Sequence, residues 1–241
     1  MEQLITGARA LHIPIQPEHL RAFRIYQEEL LKWNERFNLT AITDDKGVQI
    51  RHFLDSLSCC LGMGFGEELR GQRVIDVGAG AGFPGLPLKI LQPGIHLTLL
   101  EATGKKTQFL RYLVECLELE GVTVIHERAE TLGQEPAHRE RYDWAIARAV
   151  ADTPILMEYL LPLANVGGQV LAQKGEGAPA EVQRSEWTIK TLGGHVRRLV
   201  PVELHGLAET RYLVLVDKVA RTAPKYPRRP GMPSKRPLTA D

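Results

Sequence analysis

No part of this 241-residue chain reaches the roughly 18 to 20 consecutive apolar residues that a membrane-spanning helix needs, so no membrane association is expected. The opening, MEQLITGARALHIPIQPEHL, lacks the basic start and apolar core of a secretory signal, which makes the cytoplasm the expected location. Cysteine is scarce. Cys59, Cys60 and Cys116 are odd in number and two are adjacent, which fits a reduced protein better than a disulfide framework. None stands in a C-x-x-C or Cys/His cluster, so no metal site is expected. Internal repeats are absent, and the one biased stretch is a Pro/Arg-rich tail.

The composition, 44% hydrophobic and 24% charged, is that of an ordinary globular protein, and the length suits one large α/β domain with a modest appendage. The net charge of +1 is unevenly placed. Arg221, Lys225, Arg228, Arg229, Lys235 and Arg236 crowd the last 21 residues against the single Asp241. The body is therefore mildly acidic and the tail basic, a distribution that suits either a polyanionic partner or a solubilising tail.

Apolar periodicity predicts an amphipathic helix over 17–37 and a second helical segment over 46–60, together an N-terminal helical cap (1–62). The glycine-rich stretch 62–71 reads as a linker into the core (63–219), and 220–241 as a separate basic tail. From Gln72 onward strand and helix alternate, with strands near 73–77, 95–100, 123–126, 144–147 and 168–173. Such alternation makes right-handed crossovers and a parallel sheet covered on both faces. The last runs, 196–203 and 211–217, have no helix between them and predict an antiparallel hairpin at the sheet edge. The fold class expected is α/β: a Rossmann-like, mostly parallel sheet with an antiparallel C-terminal edge hairpin and an N-terminal helical cap.

The stretch VIDVGAGAGFPGLP (74–87) is the most informative. Asp76 precedes Gly78, Gly80 and Gly82 in a strand-to-helix turn where glycine lets a ligand approach the main chain. A dinucleotide fingerprint would need glycine at 83, where Phe83 stands. The spacing resembles the first motif of the S-adenosylmethionine (SAM) dependent methyltransferases. Ligands of doubly wound sheets bind outside the carboxyl ends of the strands, and the residues at those ends suit SAM. Glu101, after the second strand, is placed to accept hydrogen bonds from a ribose diol. Arg128-Ala129-Glu130, after the third, offers a backbone N–H and a carboxylate to an adenine. Arg148, after the fourth, fits the SAM carboxylate or a substrate phosphate, or else a structural ion pair with Asp76 or Asp152.

With WNERFNLTAI (33–42), RHFLDSL (51–57), LLEATGKKTQFL (99–110), RAE (128–130), ARA (147–149) and QKG (173–175) in the same order, the chain resembles the RsmG (GidB) family over nearly its whole length. That resemblance implies methyl transfer to N7 of a guanine in 16S ribosomal RNA, with naked RNA or the small ribosomal subunit as partner. It implies SAM contacts at Gly78, Phe83, Ala129, Glu130 and Arg148, to which the glycine spacing adds Gly80. Glu101 and Thr103 depart mildly from the family pattern. The tail motif KYPRRPGMPSKRPL (225–238) is similar to basic C-termini in the family and implies RNA contact.

No (N/D)-P-P-(Y/F) motif follows the fourth strand, where amine-directed enzymes carry it, and no cysteine has the Pro-Cys context of pyrimidine C5 enzymes. Guanine N7 needs neither, because its in-plane lone pair is free at neutral pH. No catalytic base is therefore expected, and positioning falls to Arg51, His52 and Lys174, with Asp55 and Ser56 beside them. Asp55 alternatively caps its helix or pairs with Arg51. Phe83, Trp33 and Trp144 are candidates to stack on a splayed base. A monomer is expected. Two other classes stay open on the sequence: a SAM- or RNA-binding assembly factor without catalysis, and a nicotinamide oxidoreductase.

Overall fold

Seven strands, β1 (Arg73–Val77), β2 (His96–Glu101), β3 (Val122–His126), β4 (Tyr142–Arg148), β5 (Ala164–Lys174), β6 (Gly194–Val202) and β7 (Arg211–Lys218), form one sheet in the order β3-β2-β1-β4-β5-β7-β6. The structure, a computed structural model, describes residues 1–148 and 151–240; Ala149 of the ARA motif lies outside the described residues. β1 to β5 are parallel, and β7 inserts antiparallel between β5 and β6. Alternate strand residues feed two cores. Val74, Leu97, Leu99, Trp144, Ile146 and Leu171 belong to one, and Ile75, Val77, Leu100, Ala145, Ala147, Val170 and Ala172 to the other.

The N-terminal segment covers the first core. Helix Pro17–Phe37 starts at the proline the sequence marks, with Gln16 and His19 closing a capping box. The expected helical run over 46–60 is helical but irregular: Asp45–Gly47, a π-helical Val48–Leu54, then Asp55–Leu57. Helix Glu2–Ala10, which carries no sequence signal of its own, has its free N–H groups at Gln3 and Leu4 met by Gln49 Oε1. Phe23, Tyr26, Leu30, Phe53, Leu54 and Leu57 pack into one cluster with Val74, Leu86 and Phe109. The 62–71 stretch contributes Met63 and Leu69 to the same cluster and winds into a 3₁₀ turn at Gly66–Leu69. Cap, linker and sheet therefore share one core, which a division at residue 62 cuts through.

The tail also departs from expectation. Instead of a free arm, it runs back along the second core, to which it adds Tyr226, Ala223 and Leu238. Arg139 donates to the carbonyls of Thr222, Ala223 and Tyr226, and Thr188 Oγ1 donates to Leu238 O. Lys218 is buried against Thr222 and Leu192 O, and burial lowers its ammonium to about 8. Arg221, Arg229, Lys235 and Arg236 remain exposed on the outer side of this segment. Among the described residues no helix is long and apolar enough to cross a membrane.

Candidate functional site

The glycine loop leaves β1 with Gly78 N and Ala79 N both bonded to Leu100 O, which ties it to β2. Gly78, Gly80 and Gly82 all have positive φ (72°, 60° and 101°). Between Val74 and Leu91 every residue is buried except Gly78 and Gly80, so these two present bare backbone to solvent. A Cβ at Gly80 would meet only Gly78 O, at 3.8 Å, which leaves room for a ligand. Gly82 is glycine for another reason: a Cβ there would stand 2.5 Å from Tyr26 Oη, which donates to Ala81 O at 2.6 Å. Asp76, fully buried, accepts from Gly85 N at 2.8 Å and holds the loop from below. Burial raises its carboxyl to about 7, against the N–H of Gly85 and the charge of Arg148.

Glu101 and Glu130 close the neighbouring strand ends. Glu101 Oε2 accepts from Gly80 N at 2.9 Å and Oε1 from Thr103 N at 2.8 Å, so this carboxylate braces the glycine loop. Each oxygen keeps a second lone pair. Ala129 and Glu130 open the short helix Ala129–Leu132, and Glu130 Oε1 accepts from Gly231 N of the tail at 2.9 Å. That bond has no local signal, because it joins residues 101 positions apart.

Arg148 is the hub of the other half. Its Nη1 donates to Asp55 Oδ2 at 3.0 Å and to Arg51 O at 2.9 Å, and its guanidinium lies over the Phe83 ring at 4.9 Å. Its ion pair is thus with Asp55, not Asp76 or Asp152, and Asp55 pairs with it and with Arg211 (3.6 Å) rather than with Arg51. Arg51 is exposed, with a long contact to Glu209 at 3.9 Å. His52 Nδ1 takes a hydrogen bond from Arg148 Nη2 at 3.3 Å, which leaves Nε2 to donate to Thr40 Oγ1 at 2.8 Å. Burial, reinforced by Arg148, lowers its imidazole to about 4, so His52 is neutral and fully engaged near pH 7.

The aromatic candidates for base stacking are all used in packing. Phe83 is 5% exposed, with Tyr26 parallel at 5.2 Å, His52 at 4.4 Å and Arg148 over it, so it has no free face. Trp33 packs against Phe37, Phe109 and Tyr112, and Trp144 is buried in the first core. Ser56 turns inward and donates to His52 O. Lys174 pairs with Glu181 at 2.7 Å and donates to Ala151 O.

A cavity of about 530 Å³ opens beside this hub, at the ends of β4 and β5, with Arg51, His52, Asp55, Arg148, Lys174 and Arg211 among its walls. Its size suits a nucleotide. Gln173, the first residue of the QKG motif, and Arg211, which the sequence pattern did not single out, also belong here: Gln173 Nε2 donates to Asp55 O at 2.6 Å and fixes the helix carrying Asp55 to β5.

A family model described as GidB, rRNA small subunit methyltransferase G, matches residues 19–206. Curated proteins called ribosomal RNA small subunit methyltransferase G are similar over almost the full length: one from Roseiflexus sp. (strain RS-1) is 48% identical, covering 99% of this chain and 100% of that protein. One from Dehalococcoides mccartyi (strain CBDB1) is 47% identical with the same coverage. Among solved structures, M. jannaschii TYW2 in complex with AdoMet shares the fold at 13% identity (TM-score 0.54, 68% of this chain, 77% of that one). TrmN from Thermus thermophilus does so at 19% identity (TM-score 0.51, 69% and 48%).

Proposed function

The chain belongs to the GidB family of ribosomal RNA small subunit methyltransferases, and from that membership we propose that it moves the methyl group of SAM to N7 of a guanine in 16S ribosomal RNA. The observation that carries this reading is the pairing of two half-sites along one sheet edge. Exposed backbone at Gly78 and Gly80 lies beside Glu101, while the cavity, whose walls carry Arg51, Lys174 and Arg211 together with Asp55, Asp152 and Glu181, lies beside Arg148. Family membership sets aside the nicotinamide reading, which Phe83 in place of a third glycine already disfavoured.

The residues present fit SAM. Gly78 and Gly80 take its methionine part against bare backbone, and Glu101 offers its remaining lone pairs to the ribose diol. Ala129 and Glu130 frame the adenine, and Arg148, lying over the Phe83 ring, faces the carboxylate. When bound, SAM supplies an electrophilic sulfonium methyl. The N7 lone pair forms the new N–C bond as the S–C bond breaks, and the positive charge passes from sulfur to the guanine ring. No proton leaves N7, so nothing is asked of a general base, in keeping with a His52 whose two nitrogens are both engaged. What this chain provides is position: holding the two reactants in line is worth about 7 kcal/mol or more of the barrier. Arg51, exposed at the mouth of the cavity, faces incoming phosphates. Lys174 is held by Glu181 and Ala151 O and braces the cavity wall, and His52 sets the orientation of Arg148. We read the chain as a cytoplasmic monomer, which size-exclusion with light scattering tests directly.

The reading is tested by incubating the protein and labelled SAM with small ribosomal subunits, naked ribosomal RNA and transfer RNA, then mapping N7-methylguanine by borohydride/aniline cleavage. One aniline-sensitive position in 16S RNA is expected. Label without such a position would remove the N7 assignment and leave methyl transfer standing.

A further inference from the structure

The four-residue helix Ala129–Leu132 follows β3, one of the two outer strands of the sheet. Its surroundings are supplied mostly by a segment nearly a hundred residues later. Gly231 N donates to Glu130 Oε1, Gln134 Nε2 donates to Pro224 O and Pro227 O, and Arg139 Nη1 joins Gly133 O to Tyr226 O. The Pro227 ring lies so close to Gly133 that a Cβ there would meet its Cγ at 2.8 Å. The segment is in turn pinned to helix Thr153–Leu160. Glu158, wholly buried, takes the Arg228 side chain in a fork (2.7 to 3.2 Å) and the Arg228 N–H at 2.8 Å, while Tyr159 Oη meets Ser234 Oγ at 3.1 Å. A buried ion pair is poor evidence for stability, since apolar residues of like volume often serve as well, but it fixes direction and register.

We propose that residues 222–238 are a strap that positions the adenine-side wall of the SAM pocket, with Arg228 as its clamp: Glu158 holds Arg228, Arg228 sets Gly231, and Gly231 holds Glu130. This rests on the reading of Ala129 and Glu130 as the adenine wall. Arg228 is a positioning residue that touches neither SAM nor RNA. Its loss weakens every ligand that carries the adenosine half, and weakens all of them by the same factor.

The full-length protein and Arg228→Ala are titrated calorimetrically with SAM and with 5′-methylthioadenosine, which lacks the amino-acid part. Both are then assayed on small ribosomal subunits at saturating SAM. The expected result is a Kd raised on the order of tenfold for both ligands alike, with kcat, the KM for subunits and the salt dependence unchanged. Unaltered affinity for both ligands overturns the strap. If RNA binding and its salt slope fall instead, the segment is an RNA arm. A loss confined to SAM also overturns it, because that places Arg228 on the carboxylate side. If Arg228→Ala does not fold, Arg228→Lys keeps the charge without the fork. It is expected to weaken both ligands several-fold, and unchanged binding refutes the proposal. Wild-type protein that binds neither ligand removes the pocket reading itself, a failure distinct from that of the strap.

Discussion

The segments on either side of the sheet in sequence, residues 1–62 and 220–240, both brace its ligand edge, from different cores and by different means. On the N-terminal side the contacts are aromatic stacks and a charge hub open to a cavity. Asp55 is shared between Arg148 and Arg211, and among the described residues its Oδ1 has no hydrogen-bond partner, with Arg211 Nε 3.6 Å away. On the C-terminal side the corresponding carboxylate, Glu158, is sealed from solvent and both its oxygens are filled by one arginine. A hub with spare capacity beside a cavity can rearrange around an incoming nucleotide. A saturated, sealed pair can only hold its neighbours still. The first is therefore suited to recognition and the second to positioning.

Breaking the open hub should have the largest effect. Arg148→Ala removes the cation that joins Asp55 to Phe83 and is proposed to meet the SAM carboxylate; loss of at least 100-fold in kcat/KM and about 3 kcal/mol in stability is expected, read from steady-state rates and urea melts. Wild-type SAM affinity in this variant would make Arg148 purely structural. Gly82→Ala puts a Cβ against the Tyr26 hydroxyl at a φ of 101° and should cost about 3 kcal/mol while leaving the tail contacts intact. A ΔΔG below about 1 kcal/mol would show that the cap yields easily and is not the rigid side.

The pH response separates two buried groups of the same side. His52 is lowered to about 4 from 6.5, so its contribution to stability is complete above pH 6.5 and lost as the pH falls toward 4. Asp76 is raised to about 7 from 3.8, so its contribution is present below pH 3.8 and lost as the pH rises through 7. Between pH 4 and 6.5 the two offset each other. Asp76→Asn should leave the histidine alone and steepen the acid loss by about 2 kcal/mol, measured by urea melts across that window. A profile as shallow as wild type would show that Asp76 does not titrate there. The smallest effect is expected at Arg51. Arg51→Ala should change stability by less than about 0.5 kcal/mol, while raising the KM for subunits and lowering the salt slope by about one.

Much of the architecture is local in origin and so was readable before any coordinates. The order of strands β1 to β5, the start of the helix at Pro17 and the edge hairpin follow from apolar runs punctuated by glycine and proline, although β4 and β5 begin at Tyr142 and Ala164, two and four residues before the expected 144 and 168. The irregular winding of 45–57 and the helix at Glu2–Ala10 did not, because each depends on partners outside its own segment, Gln49 for the latter. Within the site, spacing placed Gly78, Gly80, Glu101, Glu130 and Arg148 at consecutive strand ends. It could not show that Phe83, Trp33 and Trp144 are consumed by packing, since an aromatic residue looks the same in sequence whether its faces are free or covered.

The sequence by itself determined which strand ends form the ligand edge, because in a parallel sheet the crossovers put every loop after a strand on one side. It also determined the family, because GFPGLP and its companion motifs stand in order along the chain. The tertiary structure alone decided who pairs with whom. Asp55 rather than Asp76 receives Arg148, Glu158 receives Arg228, and the basic tail lies folded along the core with Arg221, Arg229, Lys235 and Arg236 turned outward. Charge composition says only that an arginine needs a partner. Which carboxylate it finds depends on contacts 93 and 70 residues away, and those exist only once both cores have closed.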